Sequence, residues 1–188
     1  MNFIKRIRIE IGDFILRMQL KKLKRKKSTF NLETAKTAGV ILNASNQTSY
    51  EETREFVEFL RKKNIKVYAL GFVENFEVLE FFNSHKDFRF FSRKNINWYY
   101  KPKSPIVEKF ISIEFDILFD LSLKDYFPIK YIVAHSKSKF KIGKISNYKF
   151  EYHDFILKFE NNKDIKYFIK QIKFYFNLIK PKIMRNEE

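Results

Sequence analysis

Phe115-Asp116-Ile117-Leu118-Phe119-Asp120-Leu121-Ser122 is the stretch that leaves this chain the fewest choices. Five of its eight residues are large and apolar, and the polar Lys124-Asp125-Tyr126 breaks the run soon after. A short, nearly continuous apolar segment suits a strand covered on both faces, which is the habit of parallel sheets. Gly39 to Ala44, Ile65 to Phe72 and Phe88 to Phe91 repeat the pattern, with helical stretches between several of them. The expected fold is α/β: a single Rossmann-like, three-layer domain with a mainly parallel sheet of five or six strands, preceded by a basic amphipathic helix.

A chain of 188 residues is one domain on the usual scale of ~100–200 residues. It divides into a basic amphipathic helix over 1–27, a linker over 28–37, an α/β body over 38–180 and a tail over 181–188. In the first segment Ile4, Ile7, Ile11, Phe14, Ile15 and Met18 recur at helical spacing and form one apolar stripe. An exposed patch of that size exceeds what soluble monomers usually tolerate. The stripe is therefore expected to pack on the body or on a partner helix, with the bases outward. Gly12 weakens the helix by ~1 kcal/mol relative to Ala.

Ser49-Tyr50-Glu51-Glu52 reads as a capping box that opens a helix running to about Lys63. Phe76 to Phe82 reads as a short helix, and Ser104-Pro105 opens another. Further on come a helix around Pro128 to His135, a strand over Lys139 to Gly143 and a last strand over Phe155 to Phe159, with Tyr148 to Tyr152 as a pairing partner. Asn161 or Asn162 caps a final helix whose stripe is Ile165, Phe168, Ile169, Ile172, Phe176 and Ile179, and Pro181 ends it.

Charge narrows the function classes. There are 38 bases against 22 acids, a net charge of +16. Residues 1–27 hold ten bases (Lys5, Arg6, Arg8, Arg17, Lys21, Lys22, Lys24, Arg25, Lys26, Lys27) and two acids, for +8. Residues 28–100 carry only +1 and residues 101–188 carry +7. Such a balance favours an anionic partner, whether nucleic acid, an acidic membrane surface or an acidic protein. The absence of cysteine excludes disulfides and thiolate metal sites. His85, His135 and His153 are isolated, so no zinc site and no cofactor is expected. No segment reads as a membrane span or a signal peptide, and a cytoplasmic location is the expectation.

Two groups of residues are candidate sites in the body. Ligands of open α/β sheets sit beyond the carboxyl ends of the strands, which selects Asn43, Ser45, Asn46, Gly71, Glu74, Asp120, Ser122 and Asp125. Turns and helix caps use the same residue types. The first loop lacks glycine, so it cannot cradle a dinucleotide. A second group is Lys130, Lys137, Lys139, Lys141, Lys144 and Lys149, uninterrupted by acids; Lys137, Lys139 and Lys141 alternate and would share one face of a strand. Between these lies an aromatic cluster, Phe88, Phe90, Phe91, Trp98, Tyr99 and Tyr100, with Arg89, Arg93, Lys94, Lys101 and Lys103 among it. Bases interleaved with aromatics are able to stack unpaired nucleobases and bind their phosphates, and a Phe-rich core strand followed by a loop reads the same way.

Phe115 to Ser122, the helix after it and Phe140-Lys141-Ile142-Gly143-Lys144 resemble part of the N-terminal Rossmann-like domain of the heptosyltransferase family, which would imply a nucleotide-sugar transferase fold. The basic first helix, the Val40-Ile41-Leu42-Asn43-Ala44 strand and the Asp120-Leu121-Ser122 strand end resemble a family of short, basic, uncharacterised Bacteroidetes proteins. That likeness implies an α/β domain with no established activity.

With no catalytic signature, the leading expectation is a non-enzymatic RNA-binding, ribosome-associated protein. Its phosphate contacts would be the ten N-terminal bases with Lys137, Lys139, Lys141 and Lys144. The alternatives are a peripheral membrane or protein-docking module, and a small glycosyltransferase-like enzyme using Asn43, Ser45, Asp120 and Ser122.

Overall fold

The computed structural model describes residues 3–44, 46–74, 88–147, 152–160 and 163–179. Strand β4 (Ile117–Asp120) is the core of the predicted apolar run, and all four of its residues are buried. On one side it pairs with β1 (Thr37–Asn43), which continues outward to β2 (Lys66–Val73) and β3 (Phe88–Ser92). On the other side lie β5 (Phe140–Lys144) and the short β6 (Phe155–Leu157). Every pair is parallel, and the order is β3-β2-β1-β4-β5-β6. The chain thus builds outward from β1, then crosses back to start again at β4. This is the doubly wound arrangement, with its switch point between β1 and β4.

The faces divide as the strand alternation requires. Val40, Leu42, Ile117 and Phe119 face α2 (Gln47–Lys62) and α5 (Ile165–Leu178). Ile41, Leu70 and Leu118 face α3 (Pro105–Ser112) and α4 (Phe127–His135). Asp116 ties the starts of β1 and β4 together. Its Oδ2 accepts the amides of Lys36 at 2.9 Å and Thr37 at 3.1 Å, and its Oδ1 accepts Lys139 Nζ at 2.8 Å. Burial alone would raise this carboxyl, but Lys139 and the two amides outweigh it and hold the group below its ordinary value.

Two local expectations, both of helix caps, need correction. Helix α2 is capped by Asn46, whose Oδ1 accepts the Ser49 amide at 2.8 Å, so Ser49 lies inside the first turn and is not the cap. Asn is at least as good an N-cap as Ser, and it stands three residues earlier. Helix α5 starts after Asp164, which accepts the Tyr167 amide at 2.8 Å. Strand β6 pairs with β5. The expected elements at Phe76 to Phe82 and over 148–151, the Asn161/Asn162 cap and Pro181 lie outside the described residues.

The largest correction concerns α1 (Phe3–Leu20). Its body-facing side is not the stripe Ile4–Met18. It is a narrower strip of Arg8, Ile9, Gly12, Leu16 and Gln19, roughly a third of a turn away. Leu16 enters a small core with Phe127, Tyr131 and Ala134. Gln19 accepts the Tyr131 hydroxyl at 3.0 Å, and the Asp13 carboxylate pairs with the buried Lys130 ammonium. The reason for this seating is Gly12. A Cβ there would stand 2.5 Å from the Tyr99 carbonyl oxygen and 2.8 Å from the Phe127 ring.

Gly12→Ala separates propensity from packing. Alanine gains ~1 kcal/mol of helix propensity, yet its methyl would meet backbone that cannot yield. We expect a lower Tm and faster hydrogen exchange across α1. A Tm that is unchanged or raised would mean α1 is not seated through Gly12.

Candidate docking surface and strand-end crevice

With α1 held by its Gly12 face, the apolar stripe is left outside. Phe3 is 75% exposed, Ile4 62%, Phe14 60% and Met18 50%, while Ile11 and Ile15 form its half-buried inner edge. Lysines and arginines flank it. Of the ten N-terminal bases, Lys5, Arg6, Arg17, Lys21, Lys22, Lys24, Lys26 and Lys27 are exposed. Arg6 pairs with Glu10 at 3.0 Å, and Lys27 reaches Asp154 at 3.2 Å.

Arg25 is committed to the fold, and Arg8 is tied to it through its Nε and the face of its guanidinium. Arg8 donates to the Trp98 carbonyl, and its guanidinium lies 4.7 Å from the centre of the Tyr100 ring. Arg25 forms a two-point ion pair with Asp154, at 2.8 and 2.5 Å, and also donates to the Ser138 carbonyl at 3.1 Å. Burial alone would raise the Asp154 carboxyl; Arg25 and the Lys141 amide more than reverse this and hold it low. This clasp anchors the basic segment after α1 against β5.

The predicted lysine face does not form one surface. Lys137 is exposed, Lys139 is half-buried against Asp116, and Lys144 donates to the Leu123 carbonyl at 3.3 Å. Lys141 is only 3% exposed. Its Nζ donates to the carbonyls of Val133 at 2.6 Å and Ala134 at 3.2 Å, closing the end of α4. The alternation is real, but it turns Lys141 inward to cap a helix terminus whose carbonyls attract a cation.

At the strand ends, Asp120 is buried. Its Oδ1 accepts the Ser122 amide at 3.0 Å, and its Oδ2 lies 3.2 Å from His153 Nε2. The His153 ring rests on Gly143, where any Cβ would overlap it. The Asn43 Oδ1 and Ser122 Oγ atoms are buried without a hydrogen-bond partner. Tyr126 stands above Asn43; burial raises its phenol, Glu74 adds to the shift, and a hydrogen bond from Asn43 opposes it. Asn46 is the α2 cap, Glu74 pairs with Arg93 at 3.1 Å, Asp125 accepts the Asn147 amide at 2.9 Å, and Gly71 packs under Phe90. Ser45, His85 and Lys149 lie outside the described residues. The cleft lined by Asp120, Ser122, Lys144 and His153 holds about 30 Å³. That is room for a water or two, against the ~300–1,000 Å³ of a ligand pocket. Among the described residues no group of His, Asp and Glu is placed to hold a metal.

The aromatic cluster divides. Phe88 and Phe91 are core residues, while Trp98 is 57% exposed. Sequence reading singled out His153 only as an unlikely metal ligand, and missed its contact with Asp120. It also missed the Asp13–Lys130 and Arg25–Asp154 pairs, whose partners lie more than a hundred residues apart in sequence. No local signal could have found them.

Fold and surface together define a doubly wound α/β domain carrying a basic amphipathic helix with an uncovered apolar face. The chain belongs to DUF6913, a family of unknown function whose pattern matches residues 10–179. Neither a curated protein nor a solved structure matches it significantly. None of the described helices is long and apolar enough to cross a membrane.

Lys141 supplies a pH test of the fold. Burial, aided by Arg25, pushes its ammonium down to about 7, with Asp154 pulling the other way. In the unfolded chain the proton stays on up to about 10.5. Between these values the unfolded state binds more protons, so stability rises with pH. The Tm of the wild type should therefore climb relative to Lys141→Met as neutral solution is made alkaline. A difference independent of pH would show that Lys141 keeps an ordinary pKa.

Proposed function

We propose that this protein is a peripheral module that docks on an anionic lipid bilayer through the outward face of α1. The observation that carries this reading is the exposure of Phe3, Ile4, Phe14 and Met18 on a helix whose other face is already packed. An amphipathic helix with bulky apolar residues and basic flanks lies in the bilayer interface, its apolar side ~5–10 Å into the headgroup region. Those of the exposed N-terminal bases that reach an anionic surface add attraction worth ~1 kcal/mol each. Residues 1–27, which carry the stripe, also carry +8, half of the net charge.

RNA phosphates would use the same bases, but have no use for an aliphatic stripe. Charge alone supports the RNA reading, and with Arg25 and Lys141 committed to the fold its phosphate contacts reduce mainly to the exposed N-terminal bases. A transferase-like reading would need a ligand volume that the strand-end cleft lacks.

Flotation with phosphatidylcholine vesicles, with and without phosphatidylglycerol, tests the proposal. The intact chain should float with the anionic vesicles. Phe14→Ser and Met18→Ser should each weaken binding roughly tenfold, from ~1.5 kcal/mol of lost burial, and leave the Tm nearly unchanged. Equal flotation by the variants, or affinity for single-stranded RNA that survives both substitutions while vesicle binding is absent, would overturn it.

A further inference from the structure

Beside the first turns of α1 lies a cleft of about 600 Å³, lined by Ile4, Lys5, Arg8, Arg93, Trp98 and Tyr100 among others. Trp98 is held at its rim by a hydrogen-bonded turn. The Asn97 side chain accepts the amides of Tyr99 at 3.2 Å and Lys101 at 2.9 Å, and Ile96 bridges Pro102. Tyr100 takes a positive φ of 65° to close that turn. The construction leaves a large indole 57% exposed, its ring touching Tyr99 edge-on.

We propose that this cleft binds the phosphate of an anionic lipid headgroup, with Trp98 seated at the level of the headgroups. The inference rests on the docking reading above and adds a site to it. Three cations border the cleft, and among the described residues no carboxylate lines it, although Glu74 holds one side of Arg93. Arg8 is oriented by its bond to the Trp98 carbonyl and by the Tyr100 ring beneath it. A guanidinium fixed in this way suits a phosphate, whose oxygens accept two N–H groups at once. Ile4 belongs both to the cleft and to the exposed stripe, so one approach to a bilayer places acyl chains against the stripe and a headgroup in the cleft. Tryptophan is the residue enriched at that level of a membrane, because its ring is apolar and its N–H is not. Inorganic phosphate or a nucleotide shares the phosphate chemistry; the adjoining stripe favours the lipid.

Trp98 is the only tryptophan in the chain, so selectively excited tryptophan emission reports on this cleft alone. The full-length protein is titrated with phosphatidylcholine vesicles, with and without phosphatidylglycerol, and separately with inorganic phosphate and a single-stranded RNA. Anionic vesicles should shift the Trp98 emission to the blue, and brominated acyl chains should quench it. Lys5→Gln and Arg93→Gln, both exposed and away from the core, should each weaken the shift about fivefold. Flotation of the wild type with no Trp98 shift, or with a shift indifferent to both substitutions, would overturn the headgroup site and leave docking standing. A response to inorganic phosphate without flotation would assign the cleft to a soluble phosphate, against both the lipid and the docking reading. Quenching by RNA alone would make it a nucleic-acid site and overturn the proposal.

Discussion

Gly12 sets how the first helix meets the domain. With hydrogen in place of a side chain, α1 lies directly against the Phe127 ring and the Tyr99 carbonyl. Leu16, Asp13 and Gln19 then fall into place along α4. Because the contact uses only the narrow strip of Arg8, Ile9, Gly12, Leu16 and Gln19, the widest apolar face of the helix remains outside. The uncovered stripe, the position of the cleft beside Trp98 and the side on which the N-terminal bases collect all follow from that one close approach.

The electrostatics are organised around it. The acids Asp13, Asp116 and Asp154 are each matched by cations from distant parts of the chain. The Asp13–Lys130 pair is well shielded, so removing Asp13 would deprive the buried Lys130 charge of this carboxylate, at a cost of ~3–5 kcal/mol. In the Arg25–Asp154 pair, by contrast, Asp154 keeps Lys27 as a second cation. Those pairs hold α1 and the segment after it in position. The cations left exposed, from Lys5 to Lys27, are a different population, solvated and within reach of an external anion. Net charge alone merges the two groups; burial separates them.

The sheet was legible in the sequence because fully buried parallel strands need nearly continuous apolar runs, and Ile117 to Phe119 within Phe115 to Leu121 and Gly39 to Leu42 supply them. The buried face of α5 was legible for the same reason, since Ile165, Phe168, Ile169, Ile172 and Phe176 keep helical spacing. For α1 the same rule misled. Periodicity found its stripe but could not tell an inward face from an outward one, and the residue that decides, Gly12, looked only like a defect. The lysine alternation failed likewise: spacing groups Lys137, Lys139 and Lys141, while only the packing of α4 over β5 says that of these Lys141 alone is buried. Of the strand-end candidates, Asn43, Asp120 and Ser122 do gather near the switch point, but Asn46 serves as a cap.

Because the chain contains no cysteine, one introduced thiol can carry a spin label at a chosen place on α1. Labels at Phe14→Cys, on the stripe, and at Arg17→Cys, on the basic flank, would be compared on protein bound to phosphatidylglycerol-containing vesicles, using collisions with oxygen and with a water-soluble nickel complex. The account predicts that the label at position 14 is reached by oxygen and shielded from nickel, at a depth of ~5–10 Å, while the label at 17 stays aqueous. Equal exposure of both labels to nickel on bound protein would contradict the claim that α1 docks through its apolar face.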